Sequence, residues 1–250
     1  MPVLRPLLRS ARGPYHRLRG ALRLHGVFGL LQLVPQNLAY LLRRRRRHQR
    51  GEIDEFDRRF GVETAARRPV STLDLPQAAA IHAVRYEPVA RLADYLAALD
   101  IAFDRYTFVD YGCGKGRALL MASDQPFAKI IGVEYSAQLA AIARRNISIY
   151  TNPNQRCRAI EVVEGDAARF APPHSACVFF LYNPFDEVIL RQVVQRMRRT
   201  RCPAGPADHL IYVDPRHRAC LDADPGWEAV ADHQSWVVYR ATGADGAPSA

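Results

Sequence analysis

Short apolar runs alternate with longer segments whose apolar positions recur every three or four residues. The runs at 106–111, 129–135, 159–163, 177–182 and 209–213 predict strands. The segments at 115–123, 137–149 and 187–199 predict helices. Residues 88–99 carry Val89, Leu92, Leu96 and Leu99 on one helical face. Two last runs, 227–231 and 235–241, flank a short polar turn and read as a closing pair of strands. Alternating strands and helices with short connections predict an α/β fold with a largely parallel sheet and an antiparallel edge. Residues 52–80, punctuated by Pro69 and Pro76, read as irregular. No internal repeat is present in the 250 residues, a length that suits one α/β domain plus an extension.

Charge separates that extension from the rest. Residues 1–51 hold 12 arginines, no lysine and no acid, whereas residues 52–250 hold 23 Lys and Arg against 25 Asp and Glu. The whole excess of +10 therefore sits on the N-terminal arm. Within it, Leu24, Val27, Phe28, Leu31, Val34, Leu38 and Leu41 recur at helical spacing, followed by Arg43 to Arg47 and Arg50. Gln32, Pro35, Gln36 and Asn37 interrupt the apolar stretch and argue against a membrane span. The stripe fits packing on the core with solvated arginines, an amphipathic helix on an anionic membrane surface, a nucleic-acid contact, or a targeting peptide. The five cysteines are scattered with no C-x-x-C pair. They read as reduced thiols of a cytoplasmic protein, peripheral at a membrane if the arm binds one, with no metal site. The expected division is an arm at 1–51, a connecting segment at 52–84, a catalytic domain at 85–241 and a frayed tail at 242–250.

The first strand of the domain runs Phe108-Val109-Asp110-Tyr111 into Gly112-Cys113-Gly114-Lys115-Gly116-Arg117. A strand, a glycine turn and a helix make a nucleotide-sized cradle. A dinucleotide site wants G-x-G-x-x-G, but position 117 is arginine and the third glycine comes one place early, at Gly116. The phosphate-loop frame G-x-x-x-x-G-K-[ST] is missing as well. Cys113, inside the turn, reads as a packing residue rather than a nucleophile.

In open α/β sheets ligands bind beyond the carboxyl ends of the strands, so each strand end matters. The second ends in Glu134, 18 residues after Gly116, where a carboxylate can accept hydrogen bonds from both hydroxyls of a ribose. The third ends in Gly165-Asp166, with Asp166 placed for an adenine amino group. The fourth ends in Tyr182-Asn183-Pro184-Phe185: an amide, a rigid turn and two aromatic rings.

Taken in this order, the four strand ends resemble the class I S-adenosylmethionine-dependent methyltransferases over about residues 85–241. The resemblance implies a Rossmann-like fold and S-adenosyl-L-methionine as cofactor. Gly112, Gly114 and Gly116 would wrap its methionine part, Asp110 would meet its ammonium, Glu134 the ribose and Asp166 the adenine. Asn183 would lie near the transferable methyl group. The corner 182–185 is similar to the N-P-P-F/Y and D-P-P-Y motifs of amino-group methyltransferases, with one proline where they have two.

The expected activity is methyl transfer to an amino nitrogen, of a protein lysine or a similar group. The Asn183 side chain and the carbonyl before Pro184 would orient the nitrogen lone pair, and Phe185 or Tyr182 would stack on a planar base or face a cation. Tyr86 is a further candidate for the pocket roof. The alternatives are a nucleic-acid or small-molecule methyltransferase, a nicotinamide dehydrogenase, and a non-catalytic membrane or nucleic-acid binder led by the arginine arm.

Overall fold

The computed structural model describes residues 54–66, 89–201 and 205–242. The expected helix of the arm, the arginine cluster, Tyr86 and the tail after residue 242 lie outside them. Within the described residues, helix α1 (Glu55–Phe60) and helix α2 (Leu92–Ala97) precede the sheet. Then follow β1 (Thr107–Tyr111), α3 (Arg117–Ala122), β2 (Lys129–Glu134), α4 (Ala137–Ile149), β3 (Ile160–Glu164) and β4 (Cys177–Tyr182). The chain continues through α5 (Glu187–Thr200), β5 (His209–Val213), α6 (Ala219–Asp222), β6 (Trp227–His233) and β7 (Trp236–Ala241). The sheet order is β3-β2-β1-β4-β5-β7-β6. β7 runs antiparallel to its neighbours β5 and β6, and the other pairings are parallel.

The order reverses direction between β1 and β4. The chain winds outward from β1 through β2 to β3, then crosses back to β4 on the other side. At such a switch the loops after β1 and β4 leave in opposite directions and open a crevice. This places the glycine turn after β1 beside the Asn183-Pro184 corner after β4, with Asp110 paired to Phe180 in register.

Both faces of the sheet are covered, as parallel strands require. Phe108, Ile130, Val178, Phe180, Ile211 and Val238 point into one core with Leu92, Leu96, Leu119 and Ala143. The intervening residues Val109, Ile131, Phe179, Leu181, Leu210 and Val237 point into the other. There α5 lays Leu190, Val193, Val194 and Met197, spaced three and four apart, against them. Asp186 starts that helix by accepting the Ile189 N–H at 3.0 Å.

The sequence pattern and the observed elements differ in several places: α6 was not expected, and α2 is shorter than the 88–99 pattern. Residues 52–80 were expected to be irregular, yet 55–60 form α1. Asp54 caps it through the Phe56 and Asp57 N–H groups, and Gly61, with φ 67°, ends it in the left-handed region. Acids in its first turn and Arg58 and Arg59 in its last suit the helix dipole. Helix α3 starts at Arg117 rather than 115, because Gly114 (φ 55°) and Gly116 (φ 85°) hold the turn left-handed until then. Strand β6 runs on to His233 past an irregularity between Ala229 and Ala231.

The α5 stripe predicts a contrast. Met197→Ala, at a fully buried position, should lower unfolding stability by about 2–5 kcal/mol. Val188→Ala, 64% exposed on the same helix, should change it by no more than about 0.5 kcal/mol. Denaturant midpoints at unchanged slope would check both.

Candidate active site

The turn after β1 has to dispose of a row of backbone N–H groups in a confined space. Gly112 and Cys113 both donate to the Val133 carbonyl, at 2.8 and 3.1 Å, and Gly116 donates to Cys113 at 2.8 Å. Gly114 N–H donates instead to a side chain, Glu134 Oε2, at 2.8 Å. The other carboxylate oxygen of Glu134 accepts the Ser136 N–H at 2.9 Å, and its backbone carbonyl accepts Gly165 N–H at 2.9 Å. One residue thus fastens the glycine turn, the entry of α4 and the end of β3. Burial raises the Glu134 pKa, while the N–H groups of Ser136, Gly114 and Tyr135 oppose that rise.

Gly112 shows why the turn tolerates no side chain. Its φ is 76°, and a Cβ built on it would stand 2.8 Å from the Cβ of Pro184. The turn after β1 and the corner after β4 are therefore in van der Waals contact. Under the turn, Cys113 Sγ would lie 2.7 Å from a Cβ on Gly132. Cys113 is buried, and burial pushes its thiol well above the ordinary range, which suits packing rather than attack.

Asp110 is buried at the end of β1. Burial, with the neighbouring Glu134 charge adding to it, pushes its carboxyl up to about 8. Asp166, more exposed, accepts the Ala168 N–H at 2.8 Å through Oδ1 and faces Arg169 at 3.7 Å. Asn183 stands half-buried with φ 41°, its amide between Tyr212 Oη and Asp214 Oδ2. Phe185 meets the ring of Tyr111 edge-on at 6.4 Å on one face of the sheet, whereas Tyr182 packs into the core on the other. The fold thus gathers Asp110, the three glycines, Glu134, Asn183 and Pro184 at one crevice, and it sends the rings of Tyr182 and Phe185 to opposite faces.

The sequence reading passed over two groups. One is the pair Tyr212 and Asp214 at the end of β5; the dipeptide Asp214-Pro215 repeats Asn183-Pro184 and was the available signal. The other is the connecting segment. Lys115 Nζ binds Glu63 Oε1 at 2.7 Å and the Ala66 carbonyl at 2.6 Å. Arg117 binds Asp54 Oδ1 at 2.8 Å and lies over the Phe56 ring at 4.6 Å. Asn146 of α4 closes the set, donating to the carbonyls of Glu63 and Lys115. Residues 54–66 so form a strap behind the turn, and both cations of the turn face that strap.

Known proteins were compared with this geometry. Residues 108–205 match the family model described as a methyltransferase domain. By that match, residues 108–205 are a methyltransferase domain. No curated protein sequence matches the chain. Among solved structures, the domain is similar to the mitomycin 7-O-methyltransferase MmcR, at 15% identity over 65% of this chain and 57% of that one, with a TM-score of 0.49. It is also similar to an RNA methyltransferase from Salinibacter ruber in complex with S-adenosyl-L-homocysteine: 17% identity, 66% and 98% covered, TM-score 0.46. A third is the glycopeptide N-methyltransferase MtfA complexed with S-adenosyl-L-methionine: 13% identity, 63% and 94% covered, TM-score 0.47. The chain spans a little over half the length of MmcR and of the pyocyanin biosynthetic protein PhzM.

The methyltransferase domain holds no group of three or more His, Cys, Asp or Glu side chains fit for a metal among its described residues. No helix there is long and apolar enough to cross a membrane.

Asp110 gives the domain a testable pH dependence. Its folded pKa lies above the unfolded value of about 4, so the folded chain keeps a proton that the unfolded chain releases. Stability should therefore fall as pH rises from about 4 to about 8 and level off beyond. Asp110→Asn should flatten that slope and leave the variant the more stable of the two at pH 8, by more than about 1 kcal/mol. Melting temperatures across this window would check it.

Proposed function

We propose that this protein transfers a methyl group from S-adenosyl-L-methionine to an amino nitrogen, that of a protein lysine or a similar group. The observation that supports the proposal is the contact of Gly112 with Pro184, the residue after Asn183, which brings the corner after β4 against the glycine turn.

The crevice fits the cofactor on two counts. Asp110 offers a carboxyl that gains by ionising when an ammonium arrives, since burial now disfavours its charge. Glu134, with both oxygens already accepting one N–H each, keeps further lone pairs for a ribose. Asp166 would take the adenine amino group, and the glycine turn the methionine chain.

When bound, the sulfonium supplies an activated methyl group. The remaining task for the chain is to hold a nucleophile in line and keep water away. Asn183 Oδ1 would accept a hydrogen bond from the amine and aim the nitrogen lone pair at the crevice. An amide takes no proton, so the amine has to arrive neutral. Pro184 stiffens the corner that holds the amide. For residues 1–51 the proposal is the one their charge supports: contact with an anionic membrane surface or nucleic acid, in a salt-dependent way.

Radiolabelled cofactor incubated with the protein and fractionated cell extract tests the reading. Label should enter the protein fraction and be recovered as methylated lysine, and Asn183→Ala should lower incorporation by about 10- to 100-fold. Asp110→Ala should weaken cofactor binding in calorimetry by about tenfold or more. Label recovered in RNA or small molecules would overturn the acceptor class. Wild-type protein that binds neither S-adenosylmethionine nor S-adenosylhomocysteine would overturn the activity.

A further inference from the structure

Strands β4 and β5 are neighbours, and each ends in an acid or amide followed by proline: Asn183-Pro184 and Asp214-Pro215. The parallel register pairs Tyr182 with Val213, so Asn183 and Asp214 leave the sheet side by side. They are also the two non-glycine residues with positive φ among the described residues, at 41° and 48°. A left-handed conformation is unfavourable for an L residue, and proline further restricts the residue before it. Such outliers persist only where the surroundings over-determine them.

The surroundings here form one directed chain of hydrogen bonds. Tyr212 Oη donates to Asn183 Oδ1 at 3.4 Å. Asn183 Nδ2 donates to Asp214 Oδ2 at 3.3 Å, and Arg216 Nε donates to the same oxygen at 2.8 Å. The direction is fixed at both ends. A carboxylate accepts only, so the NH2 of Asn183 must face Asp214. The amide oxygen likewise accepts only, so the Tyr212 hydroxyl gives its proton to Asn183 Oδ1. Burial pushes the Tyr212 hydroxyl up to about 12, so that proton stays in place at neutral pH.

We propose that Tyr212 and Asp214 are positioning residues that lock the Asn183 amide in one orientation, leaving the second lone pair of Oδ1 for an N–H of the methyl acceptor. The inference rests on the reading that an amine meets Asn183. Without Asp214 the amide can turn over and present two donors to the amine, which itself brings donors. The repulsion would displace the nucleophile from the line of attack, and a displacement of about 1 Å can lower a rate by about 100-fold. The carboxylate also adds negative charge beside the acceptor, which favours a basic nitrogen over a hydroxyl or an acidic group.

Two measurements on the full-length protein test the proposal. The first needs no transfer. The side-chain amide signals of 15N-labelled Asn183, assigned by their loss in Asn183→Asp, should shift in both Tyr212→Phe and Asp214→Ala. The second uses the extract fraction that takes label from the wild type. Both variants should lower kcat by about 10- to 100-fold, with KM for S-adenosylmethionine held within about twofold. Asn183→Asp alone faces one carboxylate with another and should lose activity. The exchange Asn183→Asp with Asp214→Asn restores one donor and one acceptor and should regain most of it. Unmoved amide signals, or variants whose kcat matches wild type while only their melting temperatures fall, would overturn the positioning role. If the wild type labels no fraction, the methyl-transfer reading fails by itself. The amide signals then decide the hydrogen-bond chain: unmoved, they overturn it, and shifted, they support it.

Discussion

Glu134 accepts an N–H from the glycine turn with one carboxylate oxygen and an N–H from the start of α4 with the other, while its own carbonyl takes the N–H that follows β3. Three parallel strands are thereby joined at their carboxyl ends. The carboxylate is buried, and a buried charge is tolerated only where donors replace its water. Here the donors are backbone groups that would themselves be orphaned without it. Charge and turn are mutually dependent. The left-handed turn brings Gly114 N–H to Glu134, and the N–H groups that meet the carboxylate oppose the rise that burial imposes on its pKa.

The strap settles the other half of the turn's electrostatics. Lys115 just before α3 and Arg117 at its first position stand at the end of a helix that favours negative charge. Both are buried and both are answered by acids 50 to 65 residues earlier in the chain: Glu63 and Asp54. Asp57 accepts N–H groups of Thr64 and Ala65 at 2.8 Å and so shapes the loop that delivers Glu63. Because the lysine is held from behind, it does not project toward a ligand as a phosphate-loop lysine does. The side of the turn that faces the crevice is left with backbone and with the acids Asp110 and Glu134. That is the charge pattern expected for a ligand carrying an ammonium and a sulfonium, and the opposite of one suited to a pyrophosphate.

The central strands were legible because they are buried on both faces and read as apolar runs; β4, β5 and α4 fall at the expected residues. The glycine spacing and the acids at Asp110 and Glu134 were legible because a strand end is a fixed place in this fold class. The strap was not, and the reason is physical. Its residues are polar and charged, and they become buried only through partners far along the chain, so no local period marks them. Its helix could still have been found from Asp54, the acids after it, the arginines before its end and Gly61. Asp214 was missed for another reason. An Asp-Pro pair is a common loop opener, and only the pairing of β4 with β5 sets it against Asn183. The rings of Tyr182 and Phe185 were placed in one pocket by their nearness in sequence. The chain turns between them, and the sheet separates their faces.

The crevice therefore has two walls with different electrical characters. On the side of β1 and β2, burial raises the carboxyl of Asp110 to about 8 and also raises that of Glu134, where backbone N–H donors oppose the rise. On the side of β4 and β5, Asp214 lies nearer solvent, paired with Arg216, and passes its influence inward through the Asn183 amide. A cation entering the first wall is met by a group that ionises in response. On the proposed reading, an amine entering the second would meet an oriented dipole, which attracts its N–H without trapping it as an ammonium. A second carboxylate in place of Asn183 would bind the protonated amine more tightly and hold its lone pair out of reach. The amide is the weaker ligand for the cation, and for that reason the better host for the neutral nucleophile.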